Sequence, residues 1–335
     1  MEELLNVKDF VDAEDGVVFR NIALAKNITR RKTKTDKPYY VFNLWTLEGS
    51  VPAKLWSGPD GKTIFEESYG EGTLADRVVQ FEGKKDTFND VSEMKIDNIV
   101  ELDESEYDKR KFMKRYYDVN SLEKEMDDFM KANISETGIK LAEKFFAEPG
   151  IKERFSEEFA ATSHHDNCIN GLLAHTLKVM KWTKAIIDMY DGVVSYPDSS
   201  MTAVQRKDLL LVGALIHDID KVNEMNYGEY QPSSILNHRV RGIIRIAELK
   251  SDIIDMYNED FYNHLIMLVD GHHGLYGDPI ETLFAYILHT ADDLDAKMTV
   301  VEKDLTENVQ NGTSGKTIRI GLPNAVTFTN VNVKI

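Results

Sequence analysis

The chain has 335 residues, of which 42% are apolar and 29% charged, with 20 Gly, 8 Pro and a single cysteine. This composition excludes disordered, collagen-like and low-complexity classes, and the lone Cys168 excludes an intrachain disulfide and a thiolate zinc cage. Forty basic against 57 acidic side chains give a net charge of −17, which argues against wholesale attraction to a polyanion but leaves room for a local basic groove.

Residues 1–100 carry 14 basic and 18 acidic side chains, so most of the acidity lies further along the chain. The N-terminal Met1-Glu2-Glu3-Leu4-Leu5 lacks the basic flank and apolar core of a signal peptide. The longest apolar run, Leu209 to Ile216, is too short to span a bilayer. A cytoplasmic protein without membrane association is expected, and nothing in the sequence decides whether it forms a homo-oligomer.

The first hundred residues read as five strands: Gly16–Phe19, Tyr39–Trp45, Ser50–Trp56, Val78–Phe81 and Met94–Ile96. They are short, rich in β-branched and aromatic residues, and separated by Gly, Asp, Asn and Pro, which predicts a small barrel over residues 1–104. Residues 101–118 are densely charged and read as a connection. Beyond them apolar residues adopt helical spacing, as in Leu122, Met126, Phe129 and Met130, and an all-helical bundle is expected over 105–300. In the last segment, 301–335, the alternations Ile318, Ile320, Leu322 and Val331, Val333, Ile335 predict a terminal hairpin. The fold class is therefore multidomain α+β.

Between Arg20 and Tyr40 lie seven cations, Arg20, Lys26, Arg30, Arg31, Lys32, Lys34 and Lys37, and one acid, Asp36. Aromatic residues follow, among them Tyr40 and Trp45. Cations that track a phosphate backbone beside rings on which bases stack form a single-strand binding surface. The competing reading is a solvated hairpin tip followed by a core strand, because alternate aromatics in a strand point inward. The order of elements, through Glu48-Gly49-Ser50 to Val51-Pro52-Ala53-Lys54-Leu55-Trp56, resembles the oligonucleotide-binding (OB) fold, with Thr46-Leu47-Glu48-Gly49 where members usually carry Asp-x-x-Gly.

All nine histidines fall between His164 and His289. The strongest local pattern is the apolar run Leu209–Ile216 ending in His217-Asp218-Ile219-Asp220-Lys221. A helix ending in adjacent His and Asp delivers an imidazole and a carboxylate to the edge of a dry core. His175, His238, His272, His273 and Asp292 come from separate predicted helices or helix ends, as a bundle-core site requires. Five imidazoles and two carboxylates suffice for two divalent ions bridged by Asp218. Without thiolates, Mn²⁺, Co²⁺, Fe²⁺ or Mg²⁺ fits better than structural Zn²⁺. Gly61-Lys62-Thr63 and Gly315-Lys316-Thr317 mimic the end of a phosphate-binding loop, but Trp56 and Gln310 stand where its first Gly is required.

At these residues the chain resembles the HD-domain phosphohydrolases, whose ordered signature of His, His-Asp and a distal Asp corresponds to His175, His217-Asp218 and Asp292. The added His238 and His272-His273 are similar to versions that hold two metals. The whole layout over residues 10–300 is similar to YhaM-type 3′–5′ exoribonucleases. Members usually carry Gly where this chain has Asp220, and the extra carboxylate would either add a ligand or repel a phosphate. The resemblance implies hydrolysis of single-stranded RNA by a metal-activated water, with the choice between RNA and single-stranded DNA left open. His175, His217, Asp218, His238, His272, His273 and Asp292 would be the ligands, with Lys221 and His165 on the phosphate and Asp218 central to catalysis. The alternatives are a nucleotide phosphohydrolase acting on dNTPs or cyclic dinucleotides, and a non-catalytic single-strand binder. On the same predicted helix, His289 reads as a satisfied core histidine or as a group orienting Asp292, and Asp293 and Asp295 compete with Asp292 for the ligand role unless Asp295 holds a neighbouring group.

Overall fold

A computed structural model describes residues 4–56, 76–88, 91–103, 107–162, 165–190, 192, 200–231, 233–274, 280–310, 318–319 and 327–328. His164, the two phosphate-loop mimics around Lys62 and Lys316, and the alternating run Val331–Ile335 lie outside the described residues. The chain forms two compact units, Met1–Tyr116 and Tyr117–Ile335.

In the first unit, helix α1 (Val7–Asp12) begins at Asn6, whose side chain accepts from the Asp9 amide, and it buries Phe10. Strands β1 (Val18–Lys32), β2 (Pro38–Thr46), β3 (Gly49–Trp56), β4 (Arg77–Phe88) and β5 (Val91–Glu101) follow. They close into a barrel in the order β1-β2-β3-β5-β4, antiparallel except where β3 pairs with β5. The interior is an alternating set: Ala23, Ala25 and Ile28 from β1, Tyr40, Phe42 and Leu44 from β2, Val51, Ala53 and Leu55 from β3. The expected five-stranded barrel is thus present.

Strand β1 is far longer than expected. The apolar run Ile22-Ala23-Leu24-Ala25 lies between cations and is drawn into the barrel wall, so Arg20 to Lys32 lie along a strand and only Lys34 and Lys37 occupy the turn. A bulge at Asn27, with φ of 57°, shifts the pairing from Lys26↔Asn43 to Thr29↔Val41. A single 3₁₀ turn, Lys109–Phe112, packs on β1 and β2, which is why this unit extends to Tyr116 rather than ending at 104.

The second unit contains α2 (Val119–Asn133), α3 (Glu136–Phe145), α4 (Ile151–Glu157), α5 (Gly171–Met189), α6 (Ala203–Ile216) and the short α7 (Lys221–Glu224). A small hairpin of β6 (Met225–Asn226) and β7 (Glu229–Tyr230) precedes α8 (His238–Glu248), α9 (Lys250–Met256), α10 (Glu259–Gly271) and α11 (Leu283–Gln310). Helix α6 starts with a capping box between Thr202 and Gln205, and every residue from Leu209 to Ile216 is buried. A helix apolar on all sides belongs in the centre, and α6 packs against α3, α5, α10 and α11. Helix α11 runs without a break through position 300, so the expected boundary there falls inside a helix. Of the C-terminal extension, Ile318–Arg319 pairs with Thr327–Phe328 over two residues each. Among the described residues no helix is long and apolar enough to cross a membrane.

Candidate metal centre and nucleic-acid surface

Helix ends deliver most of the candidate ligands. His217 caps the C-terminus of α6 and Asp218 follows it; His272 caps α10 and His273 follows. The two capping histidines use the same device. Each donates Nδ1–H to the carbonyl three residues earlier, His217 to Ala214 at 2.8 Å and His272 to Val269 at 2.7 Å. Nδ1 of His238, the first residue of α8, meets Glu224 Oε2 at 2.5 Å, and that of His175 on α5 meets Asp295 Oδ2 at 2.7 Å. A carbonyl or carboxylate only accepts, so all four rings carry hydrogen on Nδ1 and aim Nε2 inward. This is how metal-binding imidazoles are held.

The Asp218 carboxylate lies between two sets of these atoms. Its Oδ1 is 3.3 Å from His238 Nε2 and 3.5 Å from His272 Nε2; its Oδ2 is 3.4 Å from His217 Nε2 and 3.7 Å from His175 Nε2. His273 completes the first set, with its Nε2 3.2 Å from that of His238. Asp292 completes the second, with Oδ1 3.1 Å from His175 Nε2 and 3.8 Å from His217 Nε2. The structure therefore brings all seven expected ligands together, in two groups sharing Asp218.

The donor set fits divalent cations. Among the described residues, Nε2 of His175, His217 and His272 and Oδ1 of Asp218 are buried without a hydrogen-bond partner. Orphaned buried donors and acceptors are costly and call for a ligand. Bonds of about 2.1 Å would space neighbouring donors roughly 3.0–3.4 Å apart, close to the separations found.

Charge is managed around this core. Burial alone would raise Asp218, but Lys221 and His217 outweigh it and hold the carboxyl well below its usual range. Burial likewise opposes ionisation of Asp292, and His175 outweighs it. Lys221 spends two donors, on Asp218 Oδ2 at 2.6 Å and on the Ala160 carbonyl at 2.7 Å, out of the three that an ammonium carries. The His165 ring lies 4.7 Å from that of His175, tilted by 51°, and burial pushes it well below its ordinary pKa, so it is a neutral imidazole. Asp220 does neither of the things expected of it. Arg245 grips it with two hydrogen bonds at 2.9 and 3.0 Å, so its charge is spent structurally. His289 donates to the His272 carbonyl at 2.7 Å and so steadies the His272-His273 turn rather than Asp292.

Without a cation, burial lowers the basicity of His175, but Asp292 and Asp295 outweigh it and push its pKa up to about 10. Burial pushes His272 down to about 4 and His273 down to about 3, so both are neutral at pH 7. Loading metal-free protein with Mn²⁺ at pH 7 is therefore expected to displace the proton that His175 carries. Affinity should rise with pH until His175 is deprotonated. Calorimetric titration in buffers of different ionisation enthalpy gives the count; a value near zero removes His175 from the ligand set.

On the barrel, three expected nucleic-acid contacts are corrected. Tyr40 is 1% exposed and belongs to the barrel interior with Phe42 and Leu44. Trp45 is 4% exposed, with the ammonium groups of Lys26 and Lys114 at 4.7 and 5.2 Å from its ring. Lys26 is buried and paired with Asp76 at 2.8 Å. Burial removes these three from contact with a strand in solution. Arg20 pairs with Glu82 at 2.8 Å, and Lys32 with Asp36 at 3.0 Å. Arg31, Lys34 and Lys37 are exposed and Arg30 is partly so.

The outward aromatics are the neighbours of those expected. Tyr39 and Trp56 face each other across β2 and β3, stacked at 4.8 Å and 18°, and Trp56 is 44% exposed. Arg31 lies opposite Tyr39 on β1. Three groups around the metal centre also escaped the sequence reading: Glu224 behind His238, Arg245 on Asp220, and the Asp166–Lys178 pair near His175. No spacing rule marks them, since their partners lie up to 25 positions away.

Residues 172–297 match the HD domain family. The 3′–5′ exoribonuclease YhaM of Bacillus subtilis (strain 168) is 27% identical over 303 residues, covering 86% of this chain and 88% of the relative. The protein of that name from Geobacillus sp. (strain WCH70) is 24% identical over 322 residues, covering 91% and 90%. That of Bacillus pumilus (strain SAFR-032) is 25% identical over 305 residues, covering 86% and 88%.

Proposed function

We propose that this chain, a hydrolase whose residues 172–297 form an HD domain, is a metal-dependent 3′–5′ exoribonuclease that shortens single-stranded RNA. The observation that carries the reading is the Asp218 carboxylate, with one oxygen toward His238 and His272 and the other toward His175 and His217. His175, His217, Asp218 and Asp292 would hold one divalent ion, and Asp218, His238, His272 and His273 a second. Mn²⁺, Co²⁺, Fe²⁺ or Mg²⁺ there would supply the Lewis acidity that activates water and offsets charge on the phosphate. The polarity and the RNA substrate follow the activity of the relatives, which align over most of the chain.

The chain's own groups divide the remaining work. Lys221 keeps Asp218 ionised and offers its third donor to a phosphate oxygen. His165, neutral and with an unpartnered Nε2, is placed to accept or donate one hydrogen bond to the substrate. The acidic second unit would repel a polyanion, and the exposed cations Arg31, Lys34 and Lys37 of the barrel offset this for a single strand.

The test is an end-labelled panel of single-stranded RNA, single-stranded DNA, duplex and mononucleotides, with each metal added back to chelator-treated protein. A ladder of RNA products shortened from the 3′ end is expected, and chelator should abolish it. Turnover of dNTPs or cyclic dinucleotides without a ladder would replace this reading by a nucleotide phosphohydrolase. Binding without hydrolysis under all four metals would leave a strand-binding protein.

A further inference from the structure

Asp166, His175 and Asp295 bring three more potential ligand atoms within 4.8 Å of one another, beside the two metal groups. That cluster already contains a cation. Lys178 Nζ donates to Asp166 Oδ2 at 2.7 Å and to Thr299 Oγ1 at 2.7 Å, and stands 3.4 Å from Asp295 Oδ1. Asp295 turns its other oxygen to His175 Nδ1 at 2.7 Å. Asp166 is fixed from behind: Tyr117 Oη donates to its Oδ1, and its carbonyl accepts from the Cys168 amide at 2.9 Å. The backbone there is tight as well, since a Cβ on Gly171 would stand 1.9 Å from the Asp166 carbonyl oxygen.

From Asp166 through Lys178 and Asp295 to His175 the side chains alternate anion and cation, with the neutral Tyr117 hydroxyl at the head, and all are almost fully buried apart from the half-buried Tyr117 and Lys178. Two buried carboxylates without Lys178 between them would repel each other, and Asp295 would be free to turn from His175. Lys178 lies three residues after His175 on α5, so the two share a helix face, and Asp295 reaches both from α11.

We infer that Lys178 is a positioning residue for His175, acting through Asp295 to set the direction of the imidazole and thereby the affinity of one of the two metal groups. Asp166 and Tyr117 hold Lys178 in place. This rests on the metal reading above. A plain α5–α11 ion pair would stabilise the fold and leave metal affinity alone, so affinity separates the two roles.

The experiment is calorimetric titration of the metal-free full chain with Mn²⁺, in wild type, Lys178→Met and Lys178→Arg. Alongside it, visible spectra of the Co²⁺-loaded proteins and thermal melts of the metal-free proteins are recorded. In Lys178→Met one ion is expected to bind about tenfold or more weakly, as for loss of groups that orient a ligand, with the second ion unchanged and the Co²⁺ bands altered. Lys178→Arg should recover most of the affinity. Wild-type affinity for both ions in Lys178→Met, even with a lowered melting temperature, would overturn the inference. Should Lys178→Met fail to fold, Asp166→Asn, which keeps the shape and removes the charge holding Lys178, carries the same expectation. Wild type that binds neither Mn²⁺ nor Co²⁺ would instead overturn the metal reading itself.

Discussion

Asp218→Ala is expected to abolish hydrolysis, lowering the rate by at least about 10³-fold, and to remove tight binding of both ions while leaving strand binding to the barrel intact. The effect is large because one carboxylate serves two groups: its oxygens lie 3.3–3.7 Å from Nε2 of His238, His272, His217 and His175. Loss of any single histidine would leave one group whole, whereas loss of Asp218 depletes both. The substitution also strands the Lys221 ammonium, which has only 12% side-chain exposure, at a cost of about 3–5 kcal/mol. Asp218→Asn keeps the volume and a partner for Lys221, so it separates lost stability from lost ligation. Metal content and oligonucleotide retention should be measured on both variants. Two tightly held ions in folded Asp218→Asn would contradict a bridging role.

The metal centre was more legible in the sequence than the barrel surface, and the reason is local geometry. His217-Asp218 and His272-His273 terminate apolar helices, so contiguous residues announce both the helix end and the candidate ligand. The groups behind the other two rings, His238 and His175, left less of a mark. Asp295 was readable only as a support for some neighbour, Glu224 and Lys178 take their places only once α7, α11 and α5 have packed, and Asp220 found its use through Arg245, 25 residues later. On the barrel, adjacent Tyr39 and Tyr40 point to opposite faces, and composition alone does not say which is inside. Lys26 comes just before the bulge at Asn27, on the face opposite Ala25, and is nonetheless buried beside Trp45. The existence of the barrel was readable from five spaced strands, but its strand order and the facing of each side chain depended on pairing and register.

That register makes the second large expectation specific. Trp56→Ala should weaken binding of a single-stranded oligonucleotide by about 5- to 150-fold, corresponding to about 1–3 kcal/mol for one stacked base. Trp56 is 44% exposed and already rests on Tyr39, so its outer face can take a base without rearrangement, with Arg31 in register beside the pair to meet a phosphate. Trp45→Ala is the matched control. That ring is 4% exposed, and its removal should cost stability, about 3–5 kcal/mol, rather than affinity in the protein that remains folded. Fluorescence anisotropy with labelled strand in chelator measures binding without cleavage, and hydrolysis of a small chromogenic phosphodiester reports the metal centre separately. Trp56→Ala should leave that second activity unchanged, because the reacting phosphate of a small ester needs no stacked base. If Trp56→Ala binds like wild type while folded Trp45→Ala loses the strand, the outward face of β2 and β3 is not the binding surface.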